Sequence, residues 1–240
     1  MAKIYGTARG EYLQGTEFAD VIAGKGGDDS IWDDSGGDKI YGDDGNDGID
    51  TTIDAYGNGP INSFVSGGNG NDTITNNGVS HGDAGNDNIV SYSEGFLYGE
   101  AGNDTLRGAG YINGGSGSDR LTYDPYCGRN TTMVGGTGRD NFQVDVVNQT
   151  KIIVHDFHHS EGDKFGLTFG EFITDDGGRN ILQTSAQLFN EYDADKNGKH
   201  DGVIRIGDHF TAKAPDGDLQ LRLHGSIIEF DGVHTLAASD

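Results

Sequence analysis

The chain has 240 residues, with 16 Lys and Arg against 39 Asp and Glu, and a formal net charge of −23. This charge makes nucleic acid and anionic membrane surfaces unfavourable partners, and no apolar run approaches the length of a membrane span, so we expect neither nucleic-acid binding nor stable membrane insertion. Only 33% of the residues are hydrophobic, while 42 are glycine. Without added cations the chain therefore has too little apolar material to overcome its own repulsion.

A nine-residue unit repeats along the first two-thirds of the chain. In GGNGNDTIT, from Gly67 to Thr75, a glycine-rich turn ends in an acid at the sixth position and a short strand follows, with an apolar residue at the eighth. Glycine tolerates the positive φ of a tight turn, and a three-residue strand points only its middle side chain inward. Clear copies begin at Gly24, Asp33, Gly42, Gly67, Gly82, Gly99, Gly114 and Gly135, and weaker copies begin at Gly6 and Gly15.

The eighth position of the repeat predicts the core. A strand this short cannot stand alone, so successive coils must stack in parallel and hydrogen-bond to one another. Two units then make one coil, and the predicted fold is an all-β parallel β-roll. The predicted inward side chains are Leu13, Ile22, Ile31, Ile40, Ile49, Ile74, Ile89, Leu106, Leu121 and Phe142.

The acids at the sixth position predict a metal. Stacked strands lie about 4.8 Å apart, so these carboxylates would form a ladder of like charges that repel one another. Calcium takes oxygen ligands at about 2.3 to 2.6 Å, so one ion between two rungs nearly matches the stacking repeat, with turn carbonyls completing its shell. The spacing therefore favours calcium over zinc for this ladder.

The phase of the repeat predicts two unequal edges. The starts at 6, 15, 24, 33 and 42 are nine residues apart and alternate between the edges, whereas the later starts are mostly too close together for two full units. The second turn of each later coil is therefore shortened or rebuilt, and the second edge keeps only Asp20 and Asp38 in phase. The first edge carries Glu11, Asp29, Asp47, Asp72, Asp87, Asp104, Asp119 and Asp140, with room for about seven ions between them.

The predicted calcium ligands are the sixth-position carboxylates and the residues at the first and third turn positions. With one further loop, described below, we expect about seven or eight Ca²⁺ ions in all. The predicted ligands in the repeats are Asp20, Gly24, Gly26, Asp29, Asp38, Gly42, Asp44, Asp47, Gly67, Asn69, Asp72, Gly82, Ala84, Asp87, Gly99, Ala101, Asp104, Gly114, Ser116, Asp119, Gly135, Thr137 and Asp140.

These repeats resemble those of the RTX (repeats-in-toxin, haemolysin-type) family of secreted calcium-binding β-roll proteins. The resemblance covers residues 1–143, and KIIVHDFHHSEGDKFGL, with Asp156, Phe157 and Asp163, is similar to the segment that closes such rolls, which we place at 144–168. It implies an extracellular location and export of the unfolded chain through a type I secretion apparatus. The same segment leaves a zinc site open as an alternative, because it contains His155, His158 and His159.

Residues 169–240 are predicted to form a β-rich module with one short helix. The helix is capped by Thr184 or Ser185 and leads into DADKNGKHD, which has calcium-loop spacing but lacks the acidic twelfth position of an EF-hand. A solvated acidic turn is the alternative reading of the loop, and the tail LHGSIIEFDGVHTLAASD is either a secretion signal or a plain terminal strand. The predicted loop ligands are Asp193, Asp195, Asn197 and Asp201.

Catalytic motifs are weak in this sequence. Residues 78–82 fit the GxSxG pattern of hydrolases, but they lie between two repeat turns with no helix following. The repeats begin within ten residues of Met1, so we expect no catalytic domain ahead of them, and the lone Cys127 allows no internal disulfide.

The leading function is a non-catalytic extracellular role in a matrix, a biofilm or polysaccharide binding. The alternative is the roll of a polysaccharide-modifying enzyme, similar to the mannuronan C5-epimerases, or of another secreted hydrolase. Sugar stacking and simple packing both remain open for the tyrosines of the degenerate edge, which are Tyr92, Tyr98, Tyr111, Tyr123 and Tyr126.

Overall fold

The structure is a computed structural model that describes residues 1–33, 35–52, 62–127, 130–146 and 151–169, together with strand segments at 205–206, 209–213, 219–223 and 226–230. The predicted short helix and the predicted calcium loop from Asp193 to Asp201 lie outside these residues.

The described residues form β-strands and one single-turn 3₁₀ helix, His159–Glu161. None of the described helical structure has the length or the apolar composition that a membrane crossing requires. The strands are β1 Lys3–Tyr5, β2 Tyr12–Gln14, β3 Val21–Ala23, β4 Ser30–Trp32, β5 Lys39–Asp44, β6 Gly48–Asp50, β7 Phe64–Asn69, β8 Thr73–Thr75, β9 Val79–Ala84, β10 Asn88–Ala101, β11 Thr105–Gly117, β12 Arg120–Tyr123, β13 Asn130–Gly138, β14 Asn141–Val146, β15 Lys151–His155, β16 Lys164–Phe169, β17 Arg205–Ile206, β18 His209–Lys213, β19 Leu219–Leu223 and β20 Ser226–Phe230.

Alternate strands pair in parallel, which confirms the predicted β-roll. Strand β1 pairs with β3 and β2 with β4, and this skipping continues along the roll, so each coil contributes one strand to each of two sheets. The eighth-position side chains face inward from one sheet and meet the inward side chains of the other. The roll is therefore a solenoid whose core is a double stack of single side chains.

The predicted core residues are buried, as expected from their period. Ile22, Ile31, Ile40, Ile49, Ile74, Ile89, Leu106, Leu121 and Phe142 are all at most 2% exposed. Leu13 is only partly buried, because its coil is the first of its stack and has a neighbour on one side alone. One stack consists entirely of eighth-position residues down to Phe142, followed by Phe165. The other changes after Ile40 to Val65, Ser80, Leu97, Ile112, Met133 and Val154.

The second half of each later coil is rebuilt, as the spacing of the repeats indicates. Strands β10 and β11 each run through both sheets without a nonapeptide turn between them, and their register shifts between Val90 and Glu94. Side chains stabilise these bends in place of glycine turns. In the preceding coil, the buried Asn76 donates its Nδ2 to the carbonyl of Val79 and to Oγ of Ser80. The degenerate edge therefore depends on local amide and hydroxyl hydrogen bonds.

Beyond the repeats, β15 and β16 add another rung to each stack, since they pair in parallel with β13 and β14. Strand β20 then pairs in parallel with β15, whereas β18, β19 and β20 pair with one another in antiparallel fashion. A solenoid's last strand presents unpaired backbone groups that invite aggregation. The antiparallel strands cover that edge on one sheet.

The closeness of the coils generates a first prediction. Gly85 has a φ of +145°, and a β-carbon added there would lie 1.6 Å from the carbonyl oxygen of Gly70 in the neighbouring coil. We expect Gly85→Ala to reduce the free energy of unfolding in calcium by more than about 2 kcal/mol, measured by denaturant titration. The matched control is Gly48→Ala, whose β-carbon would meet its nearest atom at 3.9 Å. The control should stay within about 0.5 kcal/mol of the parent, and equal losses in the two variants would contradict the prediction.

Candidate metal centre

The first edge of the roll carries an unbroken ladder of carboxylates. The backbone N–H of each sixth-position residue donates to Oδ1 of the corresponding Asp in the next coil, over distances of 2.7 to 2.9 Å. These bonds begin at Glu11 N–H and end at Asp163 Oδ1. They fix each carboxylate in one orientation, so that its second oxygen points the same way in every coil.

That second oxygen has no hydrogen-bond partner. Each of the ladder carboxylates from Asp29 to Asp140 is at most 4% exposed, and an unpaired buried carboxylate oxygen is strongly unfavourable. The orphaned atoms are Oδ2 of Asp29, Asp47, Asp72, Asp87, Asp104, Asp119 and Asp140. Such a row is stabilised when its charge is removed, either by protonation or by a cationic partner.

The turns place backbone oxygens beside these orphaned atoms. A β-carbon on Gly82 would lie 2.3 Å from Oδ2 of Asp87 and 2.9 Å from the carbonyl oxygen of Gly99, so both oxygens converge on the space that glycine leaves open. The same convergence recurs at Gly24, Gly42, Gly67, Gly99 and Gly114, each with the Asp of its own unit and the first-position carbonyl of the next coil. The set is made of hard oxygen donors, which fits calcium.

The third turn positions also stack in register. Asp44 lies opposite Asn69, and Asn69 lies opposite Ala84. The carbonyl oxygen of Ala84 accepts a hydrogen bond from the N–H of Gly70 at 2.8 Å. Because a carbonyl oxygen has two lone pairs, one remains for a metal. The other third positions stack in the same way, at Gly26, Ala101, Ser116 and Thr137.

The electrostatics of the ladder agree with this geometry. Burial, reinforced by neighbouring carboxylates, raises the pKa of Asp87 and of Asp119 to about 7. Burial likewise raises the pKa of Asp72 and Asp140 to about 6. The folded ladder therefore disfavours its own negative charge unless a cation is bound.

The second edge is different, because its carboxylates are largely satisfied by the protein. Oδ2 of Asp20 accepts hydrogen bonds from the N–H and hydroxyl of Thr16, and Oδ1 accepts from the N–H of Ala2. Burial raises the pKa of Asp20, but these hydrogen bonds outweigh it and hold the pKa below its usual value. The N–H of Asp38 donates to Oγ of Ser63, so the acid ladder of this edge stops at a serine.

Two acids have roles in this geometry that the repeat pattern does not reveal. Asp163, which the sequence places only in the closing segment, is the last rung of the first edge, since its Oδ1 accepts from the N–H of Asp140. Asp33 stands at a first turn position that is usually glycine, and its carboxylate is buried beside the carboxylate of Asp38. Burial, together with Asp38 and Asp20, raises the pKa of Asp33 to about 7. It is available as an additional oxygen donor on the second edge.

The GxSxG match does not form a nucleophile elbow. Ser80 is fully buried on the inward side of β9, and its Oγ accepts a hydrogen bond from Asn76. A nucleophile elbow instead exposes its serine at a turn between a strand and a helix. Ser80 is therefore a core residue.

The model of the RTX calcium-binding nonapeptide repeat matches this chain in four copies, over residues 5–49, 62–78 and 96–110. This match shows that the chain carries RTX calcium-binding repeats, and the structure shows that they lie in a parallel β-roll.

Among solved structures, the extracellular lipase LipA from Serratia marcescens is similar at 18% identity and a TM-score of 0.23, over 98% of this chain. This chain spans 39% of the length of that lipase, and so low a TM-score supports no argument about fold or activity. No curated protein is similar enough to count as a match.

The raised pKa values generate a second prediction, on pH. In the absence of calcium, the folded carboxyls hold protons more tightly than the unfolded ones, so their contribution to stability is present below the unfolded pKa of about 4 and is lost as the pH rises through about 6 to 7. Calcium must displace those protons. We therefore expect the calcium concentration at half-maximal folding, followed by circular dichroism, to increase as the pH is lowered from 8 to 5. A constant midpoint would contradict this coupling.

Proposed function

We propose that this protein is a secreted, non-catalytic calcium-binding β-roll that folds when it meets calcium outside the cell. The observation that carries the proposal is the row of seven buried Oδ2 atoms without a partner, set in register along one edge. Without a cation, folding would bury this row either as unpaired charges or as protonated acids. With calcium bound, the same row becomes the main cross-coil link.

Charge balance supports the coupling of folding to binding. The formal charge of −23 opposes any compact state of the metal-free chain. About seven Ca²⁺ ions on the first edge would offset about 14 of those charges, at the points where they are most concentrated. Low cytosolic calcium would then keep the chain unfolded, which suits export through a type I secretion apparatus, and extracellular calcium would fold it.

The proposed first-edge sites combine a sixth-position carboxylate with the carbonyls of the first and third turn positions. The second edge offers Asp20 and Asp38, with Asp33 as a further donor. The loop from Asp193 to Asp201 would add the last of seven or eight ions, and it stays a prediction from the sequence.

A third prediction tests the ladder directly. Asp87→Asn removes the negative charge beside one or two ion positions while it preserves the Oδ1 that accepts from Asp72 N–H. We expect the bound calcium, counted by atomic emission, to fall by at least one ion. The calcium concentration at half-maximal folding should also rise by roughly tenfold. Glu17→Gln is the matched control, because Glu17 is exposed and the charge change is identical. An unchanged metal count in Asp87→Asn would mean that the orphaned oxygens are not ligands.

For the biological role we propose binding to an extracellular polysaccharide, supported by a continuous row of rings on the outer face of one sheet. Neighbouring rings in this row lie 4.7 to 6.5 Å apart between centroids. Aromatic side chains with an apolar body and a polar rim are suited to contact with sugars, and Phe96, at 53% exposed, is the most accessible ring of the row. The aromatic row consists of Tyr41, Phe64, His81, Tyr98, Tyr111 and Phe96.

The structure divides the five tyrosines of the degenerate edge. Tyr98 and Tyr111 belong to the aromatic row, whereas Tyr123 is fully buried and serves packing. Tyr92 and Tyr126 are exposed, at 45% and 91%, and stand outside the row. Asp83 and Glu100 flank the row with negative charge, which would repel a polyanion. The proposed ligand is therefore an uncharged glycan of a matrix or biofilm.

A fourth prediction separates stacking from packing. In saturating calcium we expect affinity gels that contain a neutral glucan to retard the migration of the protein. Tyr98→Ala should lose about 1 kcal/mol or more of the binding free energy. Tyr126→Ala is the control for removal of an exposed tyrosine and should migrate like the parent. If no neutral glucan in a panel retards the protein, or if both variants behave alike, the glycan role is wrong.

A further inference from the structure

A cluster on the outer face of the roll has metal-ligand chemistry of another kind. His81 and Asp83 lie on β9, and Glu100 lies on β10 in the next coil. One ligand atom from each of the three side chains lies within 4.8 Å of the others. None of them is a sixth-position acid of the repeat, so the cluster is distinct from the calcium ladder.

The contacts around the cluster hold its donors in place. Nδ1 of His81 lies 2.5 Å from Oε1 of Glu100. The imidazole stacks on the ring of Tyr98, at 4.7 Å between centroids and 14° between planes, and it contacts the ring of Phe64 on its other side. The hydroxyl of Ser66 donates to Oδ2 of Asp83, which orients that carboxylate. Such supporting contacts are typical of built metal sites.

The backbone at two of the three residues is also unusual. Asp83 has a φ of 69° and Glu100 a φ of 73°, both in the left-handed region. The positions paired with them in neighbouring coils are glycines, Gly68 beside Asp83 and Gly115 beside Glu100. The equivalent turn positions Lys25 and Asp43 have the same left-handed φ, at 81° and 71°, so this conformation belongs to the repeat turn. At Asp83 and Glu100 it places carboxylates beside His81.

The donor set selects the class of ion. Calcium prefers oxygen ligands throughout, whereas one imidazole nitrogen with two carboxylate oxygens suits zinc and related divalent transition metals. The side chains of His81 and Glu100 are 26% and 45% exposed, so an ion can reach them from solvent. Asp83 also lines an open groove of about 520 Å³.

We propose that His81, Asp83 and Glu100 bind one Zn²⁺-class ion on the outer face of the folded roll. Binding uses Nδ1 of His81, so the ring carries its proton on Nε2, and the ion replaces the hydrogen bond between His81 and Glu100. Three protein ligands leave a fourth position for water. Because the ligands come from two successive coils, the ion links those coils across the sheet of the calcium-folded roll.

The test uses the full chain saturated with calcium and titrated with Zn²⁺ by calorimetry, with Co²⁺ absorption as a spectroscopic report of nitrogen and oxygen ligation. We expect the parent to bind one equivalent of zinc. The zinc affinity should fall at least about tenfold in His81→Ala. Glu100→Gln, which preserves shape and leaves the ring stack intact, should weaken zinc binding as well. The matched control is His158→Ala, which removes a half-exposed histidine that also lies beside two acids, Asp156 and Glu161. The control should bind zinc as the parent does.

Circular dichroism in calcium establishes first that each variant is folded. If His81→Ala does not fold, Glu100→Gln still tests the proposal. Equal zinc affinity in the parent and in both site variants would overturn the proposal. Loss of the zinc equivalent in His158→Ala alone would also overturn it, by placing the ion in the closing segment. Displacement of zinc by an equimolar amount of added calcium would contradict the preference of this site for a Zn²⁺-class ion, and that outcome is equally negative.

Discussion

The structure depends on a row of carboxylates that folding buries with one oxygen unpaired. Each coil adds one more like charge to the row, held in orientation by a backbone N–H of its neighbour. The apolar core opposes this repulsion with little material, because most coils contribute only two inward side chains to it. A divalent cation removes the repulsion and supplies the missing ligation together. This is the physical basis of the proposal that calcium binding and folding are one equilibrium in this architecture.

The two edges of the roll differ in the interactions that hold them. The first edge keeps the repeat, and its acid ladder runs without a gap from Glu11 to Asp163. The second edge is held by side-chain hydrogen bonds such as those of Asn76, and its lengths vary from coil to coil. This freedom has consequences for the surface. The coils with a rebuilt half carry most of the aromatic row and the cluster of His81, Asp83 and Glu100.

The ends of the roll show how a solenoid is closed. Asp163 completes the ladder, so the last repeat does not end on an acid without a neighbour. Strand β20 then pairs with β15 and changes the sheet from parallel to antiparallel pairing. The change gives the terminal strand a partner that is not another repeat, which limits further stacking by a second chain.

The sequence by itself determined the period, the inward eighth position and the first-edge ladder. Each of these is local, because nine residues encode one glycine turn and one short strand, and the repeat carries the pattern forward. The inequality of the edges also followed from the sequence, since the spacing of later units excludes a second full turn.

The stack through Val65, Ser80 and Leu97 could not be predicted from the sequence, and neither could the rung at Asp163. The convergence of His81, Asp83 and Glu100 was equally beyond the sequence. Only the tertiary structure decided these, because each joins residues in different coils, 15 to 25 positions apart along the ladder. The register that brings them together is set by the lengths of the rebuilt turns, which the repeat pattern does not specify.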